Sequence, residues 1–357
     1  MSLSSIKSTN PNRLFYFDIL RAAACLCVVM IHVSAQYVLK EVGSLEFWIG
    51  NLFDSMSRAG VPLFVMISGA LMLDEDYTFT KEKWFRHIIK MLLFFVFWSI
   101  AYSLVYQICI PFIKDEEINV FSIVRSLLKG HYHLWFVPMI IGLYLMVPLL
   151  RLWIKRQNKQ YVEYFLILSF IFSFLIPQSI GLLVCINSKF KFLYEVIENL
   201  HIKYTSGFTS YFILGWYLHN YELTHKKLLY SLGFAGVCIC FLGTYGVFAY
   251  AHSSELIFYS NFSVNVLLHS IAIFVFAKST YGNVQYSSTF LHMATSLIIR
   301  NSLGVYAVHA IVLTVVSPLL SQIHVLIAVP FIFVVCTIIS LIISLVINKI
   351  PFFRKFV

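Results

Sequence analysis

Apolar segments of about twenty residues recur along the chain, and this pattern restricts the possible folds more than any other sequence feature. A helix that crosses the hydrocarbon core of a bilayer needs about 20 mostly apolar residues. The alternating strands of about ten residues that build outer-membrane barrels are absent from the sequence. We therefore predict one all-α membrane domain over residues 1–357, a polytopic protein of about ten transmembrane helices. The predicted spans are 14–35, 48–73, 88–110, 134–152, 162–177, 206–220, 228–250, 258–278, 297–318 and 325–349.

Composition supports this class and helps to orient the chain. Charged residues make up 12% of the sequence, against about a quarter in soluble proteins. The net charge of +10 could indicate a nucleic-acid partner, but most Lys and Arg residues fall on one predicted side of the membrane. The positive-inside rule then places both termini in the cytoplasm, and we expect a lipid bilayer rather than nucleic acid as the partner. The oligomeric state is not predicted.

The first span carries three costly polar side chains, Asp18, Arg21 and His32. The span is too long for a signal-peptide core, so we expect it to be retained. Arg21 and His32 are eleven residues apart, which places them on one helix face with an axial separation of roughly 16 Å. Asp18 has the i,i+3 spacing at which opposite charges meet. Because a charged Arg in hydrocarbon costs several kcal/mol, this face is predicted to point into the bundle.

The second span contains Asp54 and Arg58 at i,i+4, then Pro62 and the pair Ser68-Gly69. A proline in mid-span is expected to kink the helix, and Ser68-Gly69 to permit close helix packing. Asp54 and Arg58 have two interpretations, a structural ion pair or part of a polar cavity. We favour the cavity, with Asp54, Arg58 and Ser68 in its lining.

Two boundary segments carry further polar residues. Lys83, Arg86 and Lys90 follow helical spacing and either anchor the chain to anionic lipid or hold phosphates of a cytoplasmic ligand. No metal is expected: the seven cysteines mostly lie in apolar spans and are interpreted as small hydrophobic residues.

On the other side of the membrane, His131, His133 and Trp135 suit either an aromatic belt or a sugar-acceptor site. The spacing of His131 and His133 is too short a signal to indicate a metal site. Two later histidines, His269 and His309, each stand alone in an apolar span, and we predict that they form hydrogen bonds between helices.

Chemistry must therefore come from the charged face of the first span. The sequence has no Walker loop, dinucleotide fingerprint, nucleophile elbow or H-E-x-x-H motif. A neutral histidine in a low-dielectric cavity suits a general base that takes a proton from an alcohol. His32 is the candidate for this role, and Arg21 lies on the same face.

Several motifs, in order along nearly the whole chain, resemble the membrane acyltransferase 3 family. The motifs are Asp18-x-x-Arg21, Arg21-x10-His32, the segment from Val61 to Gly69, His133-Leu-Trp135-Phe136 and the segment from Ser302 to His309. The resemblance is strongest to ten-span members without a fused extracytoplasmic hydrolase-like domain. It implies transfer of an acetyl group from cytoplasmic acetyl-CoA to a hydroxyl of a cell-envelope polysaccharide or its lipid-linked precursor, in the bacterial cytoplasmic membrane.

The resemblance also implies residue roles. His32 matches the catalytic histidine of the family and Arg21 its partner. From its spacing, Asp18 is proposed to orient Arg21. The R-x-x-R of the family at the cytoplasmic mouth is matched only as Lys83-x-x-Arg86, in which Lys lacks the bidentate fork for phosphate. An extended pantetheine arm is of the same order as the roughly 16 Å between Arg21 and His32. Direct attack and a transient acyl-histidine both remain open.

Two other function classes fit a charged intramembrane face. A transporter or exporter of lipid-linked saccharide also needs polar side chains along its substrate path, but the sequence shows no pair of matching broken helices in two halves. A purely structural subunit would not explain why Arg21 and His32 share a face.

Overall fold

The computed structural model describes residues 14–74, 80–111, 117, 119–156, 158–199, 207–250, 256–284, 290–320 and 322–356. Within these residues the chain is all-helical, as predicted. The helices are α1 (Phe15–Val38), α2 (Leu45–Ser57), α3 (Gly60–Met72), α4 (Lys81–Leu104), α5 (Val120–Lys129), α6 (Phe136–Arg156), α7 (Lys159–Ile186), α8 (Phe192–Asn199), α9 (Phe208–Asn220), α10 (Lys226–Tyr250), α11 (Val264–Tyr281), α12 (Phe290–Leu319) and α13 (Val325–Lys349). A short 3₁₀ turn, Phe353–Phe356, follows α13.

Nine helical segments in the described part of the chain are long and apolar enough to cross a membrane. The prediction of ten differs in one place. The segment predicted as 206–220, of which residue 206 lies outside the described residues, is helix α9 with only 13 residues. Tyr211, Phe212 and Ile213 of α9 are fully buried. Packing inside the bundle accounts for the apolar sequence of this helix, although the helix is shorter than a full span.

The helix of the second span breaks at Arg58 and Ala59, between α2 and α3. Pro62 has no amide hydrogen, so the carbonyl of Arg58 lacks its normal i+4 donor. Regular bonding resumes at the next residue, where the Leu63 amide donates to the Ala59 carbonyl over 2.9 Å. The helix is therefore interrupted at the position that Pro62 predicts.

Helices α3 and α9 cross with their backbones in close contact. A Cβ atom on Gly69 would collide with the carbonyl of Phe212, and one on Gly215 with the carbonyl of Met66. Only glycine fits at such crossings, since there is no flexible side chain to move aside. This confirms the close approach expected at Ser68-Gly69.

We expect Gly69→Ala to lower the free energy of unfolding by about 1–3 kcal/mol, because the added methyl overpacks the crossing. Gly142→Ala is the matched control, since a Cβ at Gly142 meets nothing within 4 Å. Unfolding of both variants in mixed detergent micelles measures the difference. Equal stability of the two variants would contradict the close packing.

Helix α1 lies at the centre of the bundle. It packs against α2, α3, α11, α12 and α13, and its residues Leu20, Ala24 and Val33 are fully buried. Surrounding helices therefore separate the polar residues of α1 from lipid, and this is the environment that an intramembrane Arg requires.

Candidate active site

A cavity of about 180 Å³ lies beside α1. Arg21 and Val28 of α1, Ser68 of α3, Tyr144 of α6 and Tyr306 of α12 contribute to its wall. Val28 is one helical turn before His32, so the cavity extends along α1 from Arg21 toward that histidine. Arg21 and Ser68 thus line a shared cavity.

His32 lies within a group of aromatic rings at the far end of this cavity. Its ring centroid is 5.0 Å from that of His309, 5.4 Å from that of Tyr132 and 6.3 Å from that of His133. His133 and His309 are in turn 5.2 Å apart. Together with His131 these residues form a histidine cluster, defined here as His32, His131, His133 and His309.

His131 and His133 are joined through their Nδ1 atoms, which are 2.8 Å apart. The backbone carbonyl of His133 accepts a 2.5 Å hydrogen bond from the Tyr306 hydroxyl, and the ring of Tyr102 stacks on His131 at 4.3 Å. Tyr306 also lines the cavity. One side chain therefore connects the cavity wall to the loop that carries both histidines.

Burial keeps these two loop imidazoles neutral near pH 7. Burial, with a smaller contribution from nearby His309, lowers the pKa of His131 to about 4. Burial also lowers the pKa of His133 well below its usual range, with His309 as the next cause. His133 is only 2% exposed, and its Nε2 atom has no hydrogen-bond partner within the described residues.

His309 is a member of the site that the sequence interpretation missed. Its Nδ1 atom is 2.7 Å from the Tyr306 carbonyl and 3.2 Å from the Val305 carbonyl, so Nδ1 carries the hydrogen. Both hydrogen bonds of the His309 ring therefore lie within α12. The prediction that this histidine bonds between helices is wrong. Nε2 is left as a bare acceptor, buried and without a partner among the described residues. The motif from Ser302 to His309 was the available signal.

Asp54 and Arg58 form the structural pair that the sequence offered as one of two alternatives. Asp54 is fully buried and makes an ion pair with Arg58. The Arg58 guanidinium also lies 3.9 Å above the centre of the Tyr259 ring and donates to the Tyr259 carbonyl over 3.3 Å. Of the three residues predicted to line a cavity, Ser68 lines the one beside Arg21, whereas Asp54 and Arg58 do not.

Trp135 lies apart from the other two predicted acceptor residues. It is 41% exposed, and its ring packs 5.6 Å from that of Phe208. His131 and His133 come together beside His32, so the structure groups two of the three residues. Tyr132, which is 60% exposed and in contact with His32, occupies the position expected for the aromatic ring.

At the other end of α1, Asp18 is buried one turn before Arg21. Lys83 and Arg86 are exposed near the start of α4. Arg86 lines a cleft that is separate from the cavity containing Arg21. The α4 residue that lines the cavity is Met91. The structure therefore does not bring Arg86 to the cavity that contains Arg21.

Comparison with known families supplies independent information on the chain as a whole. A family model described as "Acyltransferase domain" matches residues 14–349, nearly the whole chain. No curated protein and no solved structure shows significant similarity to the chain. No group of three or more His, Cys, Asp or Glu side chains in the described part of the chain is arranged to hold a metal ion.

Proposed function

Because the chain belongs to the membrane acyltransferase 3 family, we propose that it is an O-acetyltransferase that uses cytoplasmic acetyl-CoA. The acceptor is a hydroxyl of a cell-surface polysaccharide or of its lipid-linked saccharide precursor, at the bacterial cytoplasmic membrane. The observation that carries this proposal is the cavity along α1, which has Arg21 in its wall and extends toward the histidine cluster. Acetyl-CoA held at the Arg21 end of the cavity could place its thioester carbonyl carbon near the histidine cluster.

The donor is proposed to enter from the end of the bundle that holds Arg21. Arg21 supplies a cation within the cavity, and buried Asp18 lies one turn away to orient it. Lys83, at the start of α4, is the exposed cation proposed to hold a phosphate of the nucleotide. The roughly 16 Å between Arg21 and His32 along α1 suits an extended pantetheine arm.

His32 is proposed to act at the thioester. Its ring lies beside those of Tyr132 and His309, where an acceptor hydroxyl is proposed to bind. As general base it takes the proton of the acceptor hydroxyl while the oxygen attacks the thioester carbonyl. The carbon–sulfur bond then breaks, and CoA leaves as the thiolate. In the alternative order, His32 first accepts the acetyl group and then passes it to the hydroxyl.

The acceptor is proposed to bind at the histidine loop. His131 and His133 are neutral imidazoles near pH 7, so they offer hydrogen bonds to sugar hydroxyls without a desolvated charge. The exposed Tyr132 ring presents a face on which the apolar side of a sugar can pack. Because both features surround His32, the acceptor hydroxyl would lie near the proposed base.

The mass of the envelope glycan tests this function. We expect glycan from cells that express the gene to carry one added acetyl group per modified sugar, and glycan from deletion cells to lack it. The exporter alternative predicts a different result, namely loss of the whole glycan from the surface without a change in its mass. Unchanged glycan mass and unchanged surface glycan in the deletion strain would contradict both.

A further inference from the structure

A basic cleft of about 460 Å³ lies where α4 begins and the C-terminal 3₁₀ turn ends. Four basic side chains line it, Arg86 and Lys90 from α4 and Arg354 and Lys355 from the turn. None of the described residues in its lining is acidic. The four positive charges repel one another when the cleft is empty of anions. An anion placed between them attracts all four and offsets that repulsion.

The C-terminal turn is fixed against α4. The Trp98 indole Nε1 donates to the Phe356 carbonyl over 2.9 Å, and the rings of Phe97 and Phe356 stack at 4.4 Å. The Phe356 side chain is buried. Arg354 and Lys355 are therefore held opposite Arg86 and Lys90, and the cleft has two defined walls.

This cleft and the Arg21 cavity lie on different sides of α4. Met91 is the α4 residue that lines the cavity, whereas Arg86 and Lys90 line the cleft. At about 100° per residue, Met91 is rotated by about 140° from Arg86 and about 100° from Lys90. An anion in the cleft is thus separated from Arg21 by the helix itself.

The cleft continues into an apolar stripe on the outside of the bundle. Leu93 lines the cleft, and Val96 and Ile100 follow it at i+3 and i+7. These three side chains are 44%, 47% and 45% exposed in the protein. On a helix that crosses a bilayer, such side chains face the acyl chains of lipid, and cations at the helix end lie at headgroup depth.

We propose that the cleft binds the phosphate of an anionic phospholipid, between α4 and the C-terminal turn. The headgroup lies among the four cations, and the acyl chains follow the stripe of Leu93, Val96 and Ile100. A soluble phosphate ligand would use the cations alone, whereas a phospholipid uses both the cations and the stripe. The bound lipid would join the C-terminal turn to α4. This proposal does not depend on the acetyl-transfer function.

Native mass spectrometry of the full-length protein in neutral detergent tests the site, with phosphatidylglycerol as probe and phosphatidylcholine as reference lipid. Each basic residue near an anionic lipid surface strengthens binding roughly fivefold. We therefore expect Arg354→Gln/Lys355→Gln to weaken phosphatidylglycerol binding at least about tenfold. Arg354→Lys/Lys355→Arg keeps the charge and should keep the binding, which shows that the turn still folds.

The matched control is Lys155→Gln/Arg156→Gln, which removes two exposed cations from the end of α6. This pair should bind phosphatidylglycerol as the wild type does. Equal losses in the two pairs, or equal binding of phosphatidylcholine by the wild type, would overturn the site. A third result would also overturn the lipid site. If acetyl-CoA displaces the lipid, and if Arg354→Gln/Lys355→Gln binds acetyl-CoA more weakly than the wild type, the cleft binds the acetyl donor instead.

Discussion

We expect acetyl transfer by the His32→Ala variant to fall by about 10²- to 10⁴-fold, the contribution of a well-placed general base, while its abundance in the membrane stays normal. His32 is half-buried at the edge of the helix packing, so its removal leaves the fully buried residues of α1 in place. The rate is measured as transfer of labelled acetyl from acetyl-CoA to the envelope glycan. If an acyl-histidine forms, the loss is at least as large.

The control for this variant is His269→Ala. His269 also lies in an apolar helix, but apart from the histidine cluster: it lines an apolar groove on α11 together with Leu52 and Phe234. We expect this variant to transfer acetyl at the wild-type rate. An equal loss in the two variants would show that the effect comes from helix packing, and retained transfer in His32→Ala would exclude the proposed role of His32.

We expect the Arg58→Met variant to lose about 3–5 kcal/mol of its free energy of unfolding, the usual cost of leaving one partner of a buried ion pair without the other. Asp54 is 0% exposed, so water cannot replace the guanidinium. The Tyr259 carbonyl and ring also lose their contact with Arg58. The free energy of unfolding in mixed micelles measures this loss.

The double variant Asp54→Asn/Arg58→Met is the informative partner of this experiment. It removes the buried charge as well as its counterion, so we expect it to recover most of the lost stability. Equal destabilisation of the single and double variants would mean that the loss arises from packing against Tyr259. A catalytic loss in the double variant with normal stability would instead support the cavity-lining interpretation of Arg58.

The sequence predicts the helical spans well because a spanning segment is recognised by its own length and hydropathy. It also predicts the shared face of Arg21 and His32, since both lie on one helix and the helical period is fixed. Pro62 gives the break between α2 and α3 for the same local reason. Features that depend on a single helix are therefore accessible from sequence.

Features that depend on two helices are less accessible. His309 is 277 residues from His32, and only the packing of α12 against α1 brings their rings to 5.0 Å. The helical spacing of Arg86 indicates a basic face but not that the C-terminal turn forms its second wall. Helix α9, predicted as a full span, has only 13 residues, and its buried apolar side chains reflect contacts with other helices that its own sequence does not specify.

The most direct measurement uses the purified protein in sealed vesicles, with labelled acetyl-CoA on the side of Arg21 and a glycan acceptor enclosed on the side of the histidine cluster. We predict that label appears in the enclosed glycan with wild-type protein, that the CoA moiety stays outside, and that His32→Ala labels the glycan at least about a hundredfold more slowly. Label in the glycan at the wild-type rate with His32→Ala, or no transfer by the wild-type protein, would contradict acetyl transfer along the face of α1.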